Sequence, residues 1–124
     1  MTQTVIAAVD DMFFAAKIRA VAEHLGVNVR FVKSASAVME TARAGNVSLV
    51  LVDLHSQKLH PLELARQIKA DADLHSITLV GFFSHVETAL QQAAEAAGYD
   101  RVMPRSAFTR SLPQILSGNF DGKN

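Results

Sequence analysis

The sequence has no cysteine, which excludes disulfides, thiolate zinc sites and cysteine nucleophiles together. It has no apolar run near the ~20 residues that a membrane helix needs. Its opening, Met1-Thr2-Gln3-Thr4, has no basic region, so no signal peptide is expected and a cytoplasmic location is. An excess of charge of one sign is also missing, because 12 Lys and Arg balance 12 Asp and Glu. That removes the electrostatic footprint of a nucleic-acid or membrane-surface binder, and points to self-association or low solubility near neutral pH. The phosphate-cradling loops of nucleotide enzymes, Gly-x-Gly-x-x-Gly and Gly-Lys-Ser/Thr, do not occur. Nor do internal repeats, low-complexity segments or linkers.

What the 124 residues do have is apolar content, 49% of the chain, enough for one domain over 1–124 with a single core. The densest stretch is Val47-Ser48-Leu49-Val50-Leu51-Val52-Asp53-Leu54-His55-Ser56. Such a run reads as a strand buried on both faces, the centre of a parallel sheet covered by helices. Asp53 closes it, and open α/β sheets collect their chemistry at the carboxyl ends of strands.

The rest of the chain alternates around that strand. Thr4 to Val9 reads as a first strand closed by Asp10-Asp11. Phe14, Ile18, Val21, Ala22 and Leu25 then form one helical stripe, with Asp11 as N-cap and Gly26 as stop. Asn28 to Val32 is a second strand. A helix from Ser34 or Ser36 to Ala44 ends at Gly45-Asn46, and Pro61 suits the first turn of another that turns Leu64 and Ile68 inward and Arg66 and Lys69 outward. Ile77 to Phe83 is the fourth strand, followed by an alanine-rich helix from about Val86 to Ala97. Arg101 to Met103 is a short fifth strand. A last helix is expected between Ala107 and Ser117, where Pro113 marks a kink or a late start, and 118–124 should fray. Strands and helices in strict alternation predict a doubly wound α/β fold, a five-stranded parallel sheet with helices on both faces.

In the order 2-1-3-4-5, the flavodoxin-like arrangement, the first and third strands are neighbours. Asp10, Asp11 and Asp53 then meet at the switch point. Three carboxylates there need a counter-charge, and a hard divalent cation such as Mg²⁺ suits oxygen ligands. Taken singly, each Asp is equally well explained as a helix cap or a solvated loop residue.

Ala8-Val9-Asp10-Asp11, Leu49 to Asp53, Leu62-Glu63-Leu64 and Gly98-Tyr99-Asp100 resemble the receiver domain of bacterial response regulators over Thr4 to about Leu116. The resemblance implies a stand-alone signalling domain rather than an enzyme, with Asp53 accepting a phosphoryl group from a histidine kinase. It implies that Asp10, Asp11, Asp53 and the backbone carbonyl of His55 hold Mg²⁺. It also implies that a homodimer, where one forms, uses the fourth and fifth helices; the thin apolar face of Leu90, Ala93, Ala94 and Ala97 is equally consistent with close packing on the sheet. Several positions depart from the pattern. Phe83 falls where the family has a switching Thr or Ser, with Ser84 the nearby hydroxyl. Arg105 stands for the family lysine, Ser106 for the following proline, and Val102 for the switching aromatic. In the loop after the acceptor, Ser56-Gln57 and His60-Pro61 replace the family's Met-Pro and Asp-Gly. The pattern is that of an atypical, pseudo-receiver-like member, and the alternative reading is a phosphorylation-independent docking module.

Arg105 is expected to face the acidic cluster, where a lasting Arg105–Asp53 pair would imitate or block the phosphorylated state. Met12, Phe13, Phe82 and Phe83 are expected to crowd an apolar collar near it. His55, His60 and His85 lie on loops at the same edge, without the spacing of a zinc site. An FMN carrier of the same architecture would need a hydroxyl- and glycine-rich first loop, and Asp10-Asp11-Met12-Phe13 repels phosphate instead. Asp53-Leu54-His55 is similar to the Asp-x-His of cobalamin-binding domains, but follows the wrong strand and lacks their downstream glycines.

Overall fold

The computed structural model describes residues 3–84 and 87–118. Its sheet has five parallel strands, β1 (Thr4–Ala8), β2 (Asn28–Val32), β3 (Val47–Asp53), β4 (Thr78–Phe83) and β5 (Arg101–Pro104), in the order β2-β1-β3-β4-β5. The connections are helices: α1 (Met12–Leu25), α2 (Ala35–Arg43), α3 (Pro61–Ala70), α4 (Thr88–Ala97) and α5 (Arg105–Leu116). This is the doubly wound flavodoxin-like sheet expected from the alternation.

Strand periodicity divides the core in two. Ile6, Ala8, Val50, Val52, Leu79 and Phe83 point to one face, under α2, α3 and α4. Val5, Ala7, Leu49, Leu51, Val80 and Phe82 point to the other, under α1 and α5. Leu49 to Val52 are all buried, because both faces of the central strand are covered. β2 lies at an edge, and its Asn28 and Arg30 are exposed.

The local signals act as expected where they are strictly local. The Asp11 carboxylate accepts from the backbone N–H groups of Phe13 and Phe14, and Gly26 ends α1 in the left-handed region at φ 72°. Ser34, not Ser36, caps α2 by accepting from Ala37 N–H. Pro61 opens α3.

Three expectations are corrected. Leu25 is exposed rather than part of the buried stripe, because Phe14, Ile18 and Ala22 already fill the strip that meets the sheet. Lys69 does not point its charge outward: its amine donates to the carbonyl of Ile77 at 2.9 Å and pairs with Asp100 at 3.0 Å, so α3 is tied to the starts of β4 and β5. The last helix begins at Arg105, ahead of Ala107, with Pro113 inside it. Phe108, Leu112, Ile115 and Leu116 supply its buried stripe, and Pro113 sits on the exposed side. The expected start of the fourth helix at Val86, the loop residue His85 and the tail from 119 onward lie outside the described residues.

Candidate functional site

The carboxyl edge of the sheet carries the acidic residues. Asp53 ends β3, half-buried, and its Oδ1 accepts the backbone N–H of His55 at 3.0 Å. The chain turns tightly there, with Ser56 N–H donating to the Asp53 carbonyl at 3.1 Å and Leu54 N–H to that of Phe82 at 2.9 Å. Asp10 follows β1 and is exposed. Its Oδ2 accepts the hydroxyl of Ser56 at 2.7 Å, and Ser56 is the one buried polar side chain among the described residues.

Asp11 is committed twice. One carboxylate oxygen accepts from Phe13 and Phe14 N–H at 2.9 and 3.1 Å, and the other lies 3.4 Å from Arg105 Nη2. The Phe14 amide, together with that of Phe13 and the Arg105 charge, holds the Asp11 carboxyl below the usual carboxylate value despite some desolvation. Arg105 is the first residue of α5, where the helix dipole disfavours a cation. What offsets this is a seat: its guanidinium lies 4.3 Å from the ring centroid of Phe14. That ring is packed against Phe82 and Phe108, with centroids 5.0 and 5.6 Å away.

The ion pair of Arg105 is therefore formed with Asp11, rather than with Asp53. Phe83 is 1% exposed and belongs to the core beneath α3 and α4, with Ser84 exposed just beyond it. Val102 is half-buried against the same core. The apolar collar does not form. Met12 and Phe13 are 76% and 90% exposed, while Phe82 and Phe83 are buried on opposite faces of β4. The side chain of His55 lies 3.9 Å from Glu87, just ahead of α4, and His60 is the left-handed residue before Pro61.

Carboxylates and a carbonyl are donors of the right type for Mg²⁺, but here groups of the chain itself already engage the two carboxylates after β1. Among the described residues no three His, Asp or Glu side chains are gathered closely enough to hold a metal ion. Asp11 is spent on its helix and on Arg105, and Asp10 on Ser56. Two contributors escaped sequence reasoning. Phe14 was legible only as a core position, and Ser56 only as a loop residue; the contact of Ser56 with Asp10 spans 46 residues, and no local pattern announces it.

No protein-family model matches the sequence, and no curated protein matches it significantly. Solved structures give the class of fold. A response regulator from Hahella chejuensis superposes with a TM-score of 0.86 at 16% identity, covering 99% of this chain and 98% of that one. A chemotaxis response regulator of Vibrio cholerae gives 0.82 at 11% identity, covering 97% and 100%. The receiver domain of a sensor histidine kinase from Pseudomonas aeruginosa, which holds magnesium in its active-site cleft, gives 0.81 at 17% identity over 95% and 97%. The chain has the fold of response-regulator receiver domains.

Proposed function

We propose that this chain is a receiver-like signalling domain that works by docking on a partner protein, with Asp53 as its phosphoacceptor. The observation that carries the reading is the place of Asp53: a half-exposed carboxylate at the carboxyl end of the central strand, beside the switch point between β1 and β3. In the transfer, an Asp53 oxygen attacks the phosphorus of a kinase phosphohistidine. The phosphorus–nitrogen bond breaks, the imidazole leaves with that electron pair, and an acyl phosphate forms. Arg105 stands where the family lysine would steady the phosphoryl oxygens. Ser84 is the nearest substitute for the family hydroxyl that Phe83 lacks. Mg²⁺ enters only as a weak competitor of Arg105 for Asp11. The partners proposed are a histidine kinase or another signalling protein, and a second copy of the chain through α4 and α5.

Titration with acetyl phosphate or beryllofluoride, read from the backbone amides around Asp53, tests this. The expected result is saturable shifts at residues 53–56 that Asp53→Asn abolishes. Equal shifts in parent and Asp53→Asn would remove Asp53 from the role. A second reading, a docking module whose partner ignores phosphorylation, is favoured by the burial of Phe83 and by the commitment of Arg105 to Asp11. Absence of any shift in the parent would leave that reading in its place.

A further inference from the structure

We infer that Arg105 is a tethered cation that takes the place of a free divalent ion at Asp11, and that an ion binding there must release the first turn of α5. The acidic pair is already satisfied by donors of the chain itself. Asp10 accepts the Ser56 hydroxyl at 2.7 Å, and Asp11 lies 3.4 Å from the Arg105 guanidinium. Arg105 is held in this position by more than charge. Its guanidinium stacks on Phe14 at 4.3 Å, and Phe14 packs against Phe108, a residue of the same helix as Arg105. The seat and the helix that carries the cation are thus one packed unit.

A tethered charge competes with a dissolved one at a high effective concentration, of millimolar order for short flexible linkers. Arg is also permanently charged and weakly hydrated, whereas Mg²⁺ gives up its water reluctantly and takes few protein ligands. The tethered cation therefore raises the Mg²⁺ concentration needed to claim the Asp11 oxygen. When an ion does claim the Asp11 oxygen, Arg105 loses its counter-charge at a helix N-terminus, where the dipole opposes it. The change is then felt in α5, the helix whose first residue has been freed. The inference stands whether or not Asp53 accepts a phosphoryl group.

Mg²⁺ titration of the full chain at constant ionic strength, with no phosphoryl donor present, tests it by nuclear magnetic resonance. Two reporters are available: the amides of residues 105–108, and the side-chain N–H of Arg105, whose Nε is buried without a hydrogen-bond partner. Arg105→Gln is expected to bind Mg²⁺ at least fivefold more tightly than the parent, and Asp11→Asn in that background to abolish binding. In the parent, the Arg105 side chain and residues 105–108 should shift with the same midpoint as Asp10 and Asp11. In Arg105→Gln the response should be confined to the acidic residues. A gain below fivefold, no binding in either protein, or Mg²⁺ bound to the parent with the Arg105 signal unmoved would each overturn the inference.

Discussion

Gly81 and Leu54 show how closely the backbone is packed behind the acidic edge. A β-carbon at Gly81 would lie 2.9 Å from one Leu54 methyl and 3.0 Å from the other, and Leu54 is 4% exposed, with little room to turn aside. Gly81→Ala should therefore cost about 1–3 kcal/mol, the usual penalty of overpacking. Leu54→Ala should cost about 2–5 kcal/mol through the cavity it leaves. The double variant should lose clearly less than the sum, since each change relieves the other; additive losses in urea denaturation would show that the two do not meet. Tyr99 gives a pH dependence instead. Its hydroxyl donates to the Pro61 carbonyl at 2.8 Å, and burial raises its pKa above the ordinary 10.0. An acid held neutral in the fold contributes stability that is complete below the unfolded pKa and lost as pH rises from there towards the folded value. The parent should accordingly weaken above pH 10, the unfolded Tyr value. Tyr99→Phe should lose about 1 kcal/mol of hydrogen bonding near neutrality and show a smaller alkaline decline. Denaturation midpoints from about pH 7, where a free Tyr is neutral, to about pH 11, where it is mostly ionised, check both statements; parallel curves would rule Tyr99 out as the source.

Helix α5 is the element with the sharpest internal conflict. Pro113 sits inside its Arg105–Leu116 span, where it removes one N–H from the ladder and crowds the preceding turn. The helix persists because Phe108, Leu112, Ile115 and Leu116 are buried against the sheet. Pro113 itself is exposed, so Pro113→Ala should raise stability by about 1–3 kcal/mol without touching the core. A loss of stability would mean that the backbone here is shaped to the proline. The same helix marks how far the sequence could be read. Signals confined to a few neighbouring residues were legible: the Asp11 cap, the Gly26 stop, Pro61 at the head of α3, and Asp53 at the end of the apolar run. The start of α5 was not, because tertiary burial decides it against the proline. The acids at the edge could be read from strand ends and topology. Their partners could not, since Arg105 on Phe14 and Ser56 on Asp10 are contacts between distant elements. The expected collar failed for a related reason: Met12 and Phe13 open α1 on its outward side, and apolar character alone does not tell which side a helix turns to the sheet.

Across the whole molecule, Phe83 and Val102 stand at the positions where the resemblance puts the switching residues, and neither carries a donor for a phosphoryl group. Phe83 has no donor, lies 1% exposed in a packed core, and would expose apolar surface worth on the order of 2 kcal/mol if it swung out. Val102 is half-buried against the same core and too short to alternate between two polar settings. A ligand shifts an equilibrium only by its differential affinity for the two states. Without a differential contact at either position, phosphorylation of Asp53 should leave α4 and β5 nearly where they are. Beryllofluoride should thus shift amides near Asp53 while hydrogen exchange at residues 88–104 stays unchanged. Self-association through α4 and α5, where it occurs, should have the same dissociation constant in parent, Asp53→Asn and beryllofluoride-treated protein. A difference of tenfold or more, about 1.4 kcal/mol of coupling, would refute the silent connection and require a route that bypasses Phe83. The Asp11–Arg105 pair at the head of α5 would be the first route to test, and Arg105→Gln would then be expected to abolish the difference.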